Sequence, residues 1–128
     1  MIANRFELII FDCDGVLVDN EPIINQAYAS ALTACGFSIT EQGLVERFCG
    51  MSDREMLEII ERDWGRALPA SYSERVEFVI EAGFQQSLAA IEGVAEVLDA
   101  LTLPICVASS STLEQIRRKL ELTALAEI

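Results

Sequence analysis

In Leu8-Ile9-Ile10-Phe11-Asp12-Cys13-Asp14-Gly15, four apolar residues run straight into an acid-rich turn. A short continuous apolar run of this kind reads as a strand buried on both faces, as in a parallel sheet. A second run, Ile105-Cys106-Val107-Ala108, is introduced by Pro104 and ends in Ser109-Ser110-Ser111. Two such strands, each followed by polar residues and a helical pattern, predict a parallel α/β layer with right-handed connections.

The residues between the strands read as helices. Ile24, Ala27, Tyr28, Ala31, Leu32 and Cys35 recur at helical spacing, and Gly36 closes the pattern. Thr40 opens a short segment to Phe48. Ser52 with Glu55, Ser71 with Glu74 and Ser111 with Glu114 each carry the capping-box spacing at a helix start. Trp64 to Ala70, with Gly65 and Pro69, reads as a linker. Gly93 starts a further helix with Val94, Val97, Leu98 and Leu101 facing inward. The helices up to Leu88 are too many for one crossover, so 18–88 is expected to be an inserted helical cap. Residues 1–17 and 89–128 are expected to form the core. Two strands alone leave sheet faces and edges uncovered, and the apolar ending Leu122-Thr123-Ala124-Leu125-Ala126-Glu127-Ile128 shows no helix stop, so the fold reads as interrupted.

Composition excludes several classes. The 128 residues contain no histidine, which rules out histidine-based triads and histidine metal clusters within the chain. Acidic residues outnumber basic ones 21 to 9, giving a net charge of −12 that repels nucleic acid and anionic membranes. Cys13, Cys35, Cys49 and Cys106 lack CxxC spacing and read as buried small hydrophobes, which suits a reducing cytoplasm. No apolar stretch resembles a signal peptide. The uncharged stretch 22–40 is interrupted by Asn25, Gln26, Ser30, Thr33 and Ser38, against a membrane span.

Chemistry concentrates at the strand ends, where open α/β sheets bind ligands. In extended chain, Asp12 and Asp14 at the end of the first strand project to the same side, roughly 6–7 Å apart along the backbone. Two carboxylates so placed repel unless a hard cation such as Mg²⁺ intervenes. Gly15 permits a tight turn that exposes N–H groups to an anion, and Ser109 could donate its hydroxyl to the same anion. Taken singly, Asp-x-Asp-Gly also fits a plain turn, and the serine triplet also fits an N-cap. A calcium loop is disfavoured by Val16, Leu17 and Val18.

The stretch Phe11-Asp12-Cys13-Asp14-Gly15-Val16-Leu17-Val18-Asp19-Asn20-Glu21 resembles the first signature of the haloacid dehalogenase superfamily, in its phosphoglucomutase-like phosphatase branch. Val107-Ala108-Ser109-Ser110-Ser111 resembles the second signature, and Ile91-Glu92-Gly93-Val94 the return from cap to core. The resemblance implies a partial Rossmann-like parallel-sheet core with an inserted helical cap. It also implies Mg²⁺-dependent hydrolysis of a small phosphorylated metabolite through an aspartyl-phosphate. Asp12 would be the nucleophile and Asp14 the general acid and then base. Mg²⁺ would be held by the Asp12 carboxylate and the Asp14 main-chain carbonyl. Cys13, Gly15, Ser109 and Ser110 would bind the phosphoryl group.

The chain departs from the family pattern in places. Ile24 stands where sugar phosphomutases of this branch carry a histidine, and Asp53 where they carry a cap arginine, with Arg54 one step late. Hydrolysis is therefore expected rather than mutase chemistry. Arg47 and Arg54 are expected in surface ion pairs. Nothing after Ser109 matches the family's third signature, which supplies a lysine, or the fourth, which supplies an acidic pair. Lys119, the only lysine, is expected to be solvated on the last helix. A non-catalytic remnant acting as an interaction module is the reading from a different functional class.

Overall fold

The computed structural model describes residues 5–127. Met1 to Asn4 and Ile128, which end the expected core segments and the apolar tail, lie outside the described residues. The elements follow the expected order: β1 (Ile9–Phe11), α1 (Glu21–Cys35), α2 (Glu41–Phe48), α3 (Asp53–Trp64), α4 (Ser71–Ser87), α5 (Val94–Ala100), β2 (Ile105–Val107) and α6 (Leu113–Leu122). The chain is mixed α/β with a partial sheet of two parallel strands. It divides into two compact units, residues 22–83 and a discontinuous unit of 1–21 with 84–128.

In the discontinuous unit, Ile9 pairs with Ile105, Ile10 with Cys106 and Phe11 with Val107. Hydrogen bonds from the Ile9 N–H to the Pro104 carbonyl (3.0 Å) and from the Ala108 N–H to the Phe11 carbonyl (2.8 Å) extend the ladder at both ends. A second tie joins the chain where it leaves and re-enters. The Asp19 N–H donates to the Ala89 carbonyl at 2.8 Å, and the Ile91 N–H to the Leu17 carbonyl at 2.9 Å. Leu17, Val18 and Cys13 are fully buried beneath this turn.

Several expectations are corrected here. β1 is not buried on both faces: Ile10 is 62% exposed, because no layer of the described residues covers its side of the two strands. Val97 of α5 is exposed rather than inward. Cys49 and Cys106 are exposed and Cys35 half-buried, leaving Cys13 as the buried thiol. The last capping box shifts by one residue, to Thr112 and Gln115, whose side chains exchange bonds with each other's backbone N–H groups. Ser111 is thereby released for other contacts. α4 begins at Ser71 itself, after a turn in which the Tyr72 N–H bonds the Pro69 carbonyl at 3.0 Å, so Ser71 stands inside the helix rather than before it.

α6 also has a definite stop. The Leu125 N–H reaches the Leu120 carbonyl at 2.8 Å and the Ala124 N–H reaches the Glu121 carbonyl at 3.2 Å, with Leu120 and Leu125 both buried. This is a Schellman closure, which normally uses glycine at the left-handed position. Gly36 holds that position after α1, with φ +108°, but after α6 it is filled by Ala124 at φ +60°. The stop was invisible in sequence because alanine is not a turn signal.

The unit 22–83 is helical. Its core gathers Ala27, Ala31 and Leu32 of α1, Leu44 and Phe48 of α2, Met56 and Ile60 of α3, and Tyr72 and Val76 of α4. The expected Ser52–Glu55 capping box starts α3, and Gly65 ends it at φ +77°. Arg54 pairs with Glu58 and Arg47 with Asp63 on the surface, as expected. Tyr28 donates its hydroxyl to Asp53 at 2.6 Å, whereas the buried Tyr72 hydroxyl has no hydrogen-bond partner among the described residues.

Two measurements test this account. Ala124→Gly relieves a left-handed alanine but loosens the unfolded chain, so denaturant unfolding is expected to show a gain of up to about 1 kcal/mol. Burial, reinforced by Asp53, pushes the Tyr72 phenol up to about 12. The unfolded phenol releases its proton near pH 10 while the folded one retains it. Stability from this group is therefore complete below pH 10 and is lost as pH rises from there toward 12. Tyr72→Phe is expected to flatten part of that alkaline decline and to be neutral or stabilising at pH 7, since it deletes an unpaired buried hydroxyl.

Candidate active site

The site forms where the two strands run out. β1 ends at Phe11, and the chain then turns through Cys13 to Val18 instead of continuing extended. The Cys13 carbonyl accepts from the N–H groups of Leu17 (2.9 Å), Val18 (3.2 Å) and Val16 (3.3 Å), and the Gly15 N–H donates to the Val18 carbonyl at 2.9 Å. Gly15 makes this possible with φ +74°. The two acids therefore sit on a tight turn, and the strand alternation expected for them does not apply.

Asp12 is exposed, and its Oδ1 accepts from the N–H of Cys13 at 2.7 Å. Asp14 is half-buried and held on both oxygens. Oδ1 accepts from Asn20 Nδ2 at 2.9 Å and from Lys119 Nζ at 2.7 Å, while Oδ2 takes a longer contact of 3.4 Å from Ser111 Oγ. Lys119 also donates to Ser111 Oγ at 3.2 Å. The parallel register explains the meeting: with Phe11 paired to Val107, the turn after β1 and the serine segment after β2 leave the same end of the sheet, where Asp14 reaches Ser111.

Of the serines, Ser111 touches the acid. Ser109 Oγ accepts from the N–H of Ser111 at 3.1 Å and shapes the loop, and Ser110 is exposed. The expectation for Lys119 is overturned. Its side chain is only 10% exposed and ion-paired, because it lies on the inward stripe of α6 between Ile116 and Leu120 rather than on the solvent face. A single lysine on the apolar stripe of an amphipathic helix was the available signal. Asn20 is likewise buried at the close of the first motif, and nothing in its spacing marked it.

Among the described residues no three His, Cys, Asp or Glu side chains converge as a metal-binding group. The Asp14 carboxylate is committed to an ammonium, which disfavours it as a side-chain ligand. The exposed Asp12 carboxylate is a hard-oxygen donor of the kind Mg²⁺ takes, an ion that keeps several waters and needs few protein ligands.

A family profile described as "Haloacid dehalogenase-like hydrolase" matches residues 9–128. The chain is 34% identical over 108 residues to the 6-phosphogluconate phosphatase of Escherichia coli (strain K12), covering 84% of this chain and 49% of that protein. It is 32% identical over 120 residues to the phosphorylated carbohydrates phosphatase of Thermotoga maritima, covering 88% and 55%. A conserved haloacid dehalogenase-like protein of unknown function from Agrobacterium tumefaciens str. C58 superposes with a TM-score of 0.83 at 35% identity, covering 95% of this chain and 55% of that one. The chain spans about half the length of the curated relatives it matches.

The fully buried Cys13 thiol lies in the same turn. Burial pushes it above its ordinary range, and the negative charge of Asp14 adds to the rise. A protonated, covered thiol is a poor nucleophile. Treatment of the native protein with a thiol reagent, read by mass spectrometry, is expected to label Cys49 and Cys106 and to spare Cys13 until the chain is unfolded.

Proposed function

Because the chain belongs to the haloacid dehalogenase-like hydrolase family, we propose that it supplies the nucleophile-bearing part of a phosphatase acting on a small phosphorylated carbohydrate. The observation that carries this reading is the Asp12–Asp14 turn at the tip of β1, with Asp14 in contact with the residues that follow β2. The names of the two curated relatives support the choice of substrate class. No described helix is long and apolar enough to cross a membrane. Four free cysteines accord with a reducing cytoplasm.

In the proposed reaction an Asp12 carboxylate oxygen attacks phosphorus in line, forming the aspartyl-phosphate as the bond to the substrate's alcohol oxygen breaks. Asp14 protonates that departing oxygen. It then takes a proton from the water that attacks the aspartyl-phosphate, regenerating Asp12 and releasing inorganic phosphate. Ser109, Ser110 and the main chain at Cys13 and Gly15 would line the phosphoryl oxygens; the Cys13 N–H would exchange Asp12 Oδ1 for one of them. Mg²⁺, held by the Asp12 carboxylate and the Asp14 main-chain carbonyl, would supply charge neutralisation. The 21 acidic residues make such neutralisation necessary for an anionic substrate.

The test is phosphate release from a panel of sugar and sugar-acid phosphates, with the natural-length protein and Mg²⁺. Asp12→Asn is expected to lower kcat by at least about a thousandfold, because the covalent step is lost. Ser109→Ala is expected to lower kcat/KM roughly tenfold to a hundredfold, in keeping with loss of one preorganised donor. Hydrolysis that survives in Asp12→Asn removes Asp12 as nucleophile and sinks the assignment.

A further inference from the structure

We propose that Lys119 is a positioning residue whose ammonium fixes the Asp14 carboxylate in the orientation that proton transfer requires. The inference rests on the phosphatase reading above and deepens it. Lys119 Nζ lies 2.7 Å from Asp14 Oδ1 and 3.2 Å from Ser111 Oγ, and 6.0 Å from the centre of the Phe84 ring. Its side chain is 10% exposed and that of Asp14 is 37% exposed, so the cation is the more deeply covered partner. A covered ammonium needs a counter-charge, and here the counter-charge is a proposed catalytic acid.

The arrangement sets both carboxylate oxygens. Oδ1 is fixed by Lys119 and by the buried Asn20, and Oδ2 carries the longer contact to Ser111. With Oδ1 anchored twice, rotation of the carboxylate is restricted, and Oδ2 is the oxygen better placed to exchange a proton. General acid–base groups must stand within hydrogen-bond reach of the moving proton, so a loosely held carboxylate would lose rate without losing affinity.

The lysine is itself anchored at its base. Its carbonyl accepts the Thr123 hydroxyl at 2.8 Å and the Thr123 N–H at 3.2 Å, just before the Schellman closure that ends α6. The long side chain thus springs from a fixed helix end. Lys119 also shares the inward stripe of α6 with Ile116 and Leu120, where an apolar residue would serve packing alone. An ion pair covered on one side only is a weak device for stability, so orientation is the better account of its presence there.

The experiment compares Lys119→Met, Lys119→Arg and Asp14→Asn in the natural-length protein, with para-nitrophenyl phosphate as the probe. Lys119→Met keeps the stem and removes the charge. It is expected to lower kcat roughly tenfold to a hundredfold with KM changed by less than about threefold, the pattern of a misplaced group rather than a lost binding contact. Lys119→Arg is expected to recover part of that loss. Independently of turnover, the ¹⁵Nζ resonance of Lys119, assigned by its loss in Lys119→Arg, is expected to show slow proton exchange in the wild type and fast exchange in Asp14→Asn at the same pH. A folded Lys119→Met with wild-type kcat overturns the proposal. So does a lysine ammonium signal that exchanges fast in the wild type or is unchanged in Asp14→Asn, which decides the matter even if Lys119→Met does not fold. Failure of the underlying reading looks different: hydrolysis persists in Asp12→Asn while the protected ammonium signal remains.

Discussion

Three residue pairs of parallel backbone, Ile9 to Phe11 against Ile105 to Val107, are the constraint on which the site depends. Register in a sheet is all or nothing: a slip of one residue would turn every side chain to the opposite face. With this register, Asp14 after β1 meets Ser111 and Lys119 after β2, although they are distant in sequence. The Asp14–Lys119 ion pair and the Asp14–Ser111 contact both follow from it. Neither could be made by a local segment alone.

Much of this was legible in advance. An apolar run ending in acid and glycine locates a strand and its turn, and helical spacing with caps locates the helices between the two strands. Those signals are local, and the structure carries the same elements in the same order. The Ser52–Glu55 box starts α3 because both of its partners lie within one turn. The Arg47 and Arg54 ion pairs were legible for a similar reason, as long charged side chains flanked by acids on exposed helix faces.

What escaped the sequence depends on neighbours remote in the chain. Strand burial was overestimated for Ile10, since a run of apolar residues reports suitability for a core and not the presence of a covering layer. Lysine is a residue type for which solvent is the ordinary place. The helical phase of Lys119 pointed the other way, and phase proved decisive. The Thr112 box displaced the Ser111 box because both satisfy the same local pattern, and only the contact of Ser111 with Asp14 distinguishes them. The left-handed Ala124 is a comparable case, where burial of Leu120 and Leu125 and the hydrogen bond between their backbones accompany a state that alanine alone disfavours.

The paired crossings at Leu17–Asp19 and Ala89–Ile91 have a kinetic meaning. The intervening segment has its own apolar centre, drawn from residues 27 to 76 of the same stretch, so it can gather without either strand. Once it has condensed, its two ends need no longer search as the termini of a long open loop. The entropy of bringing β1 to β2 then scales with a much shorter effective tether. A slow, non-local strand pairing is thereby converted into a late docking step.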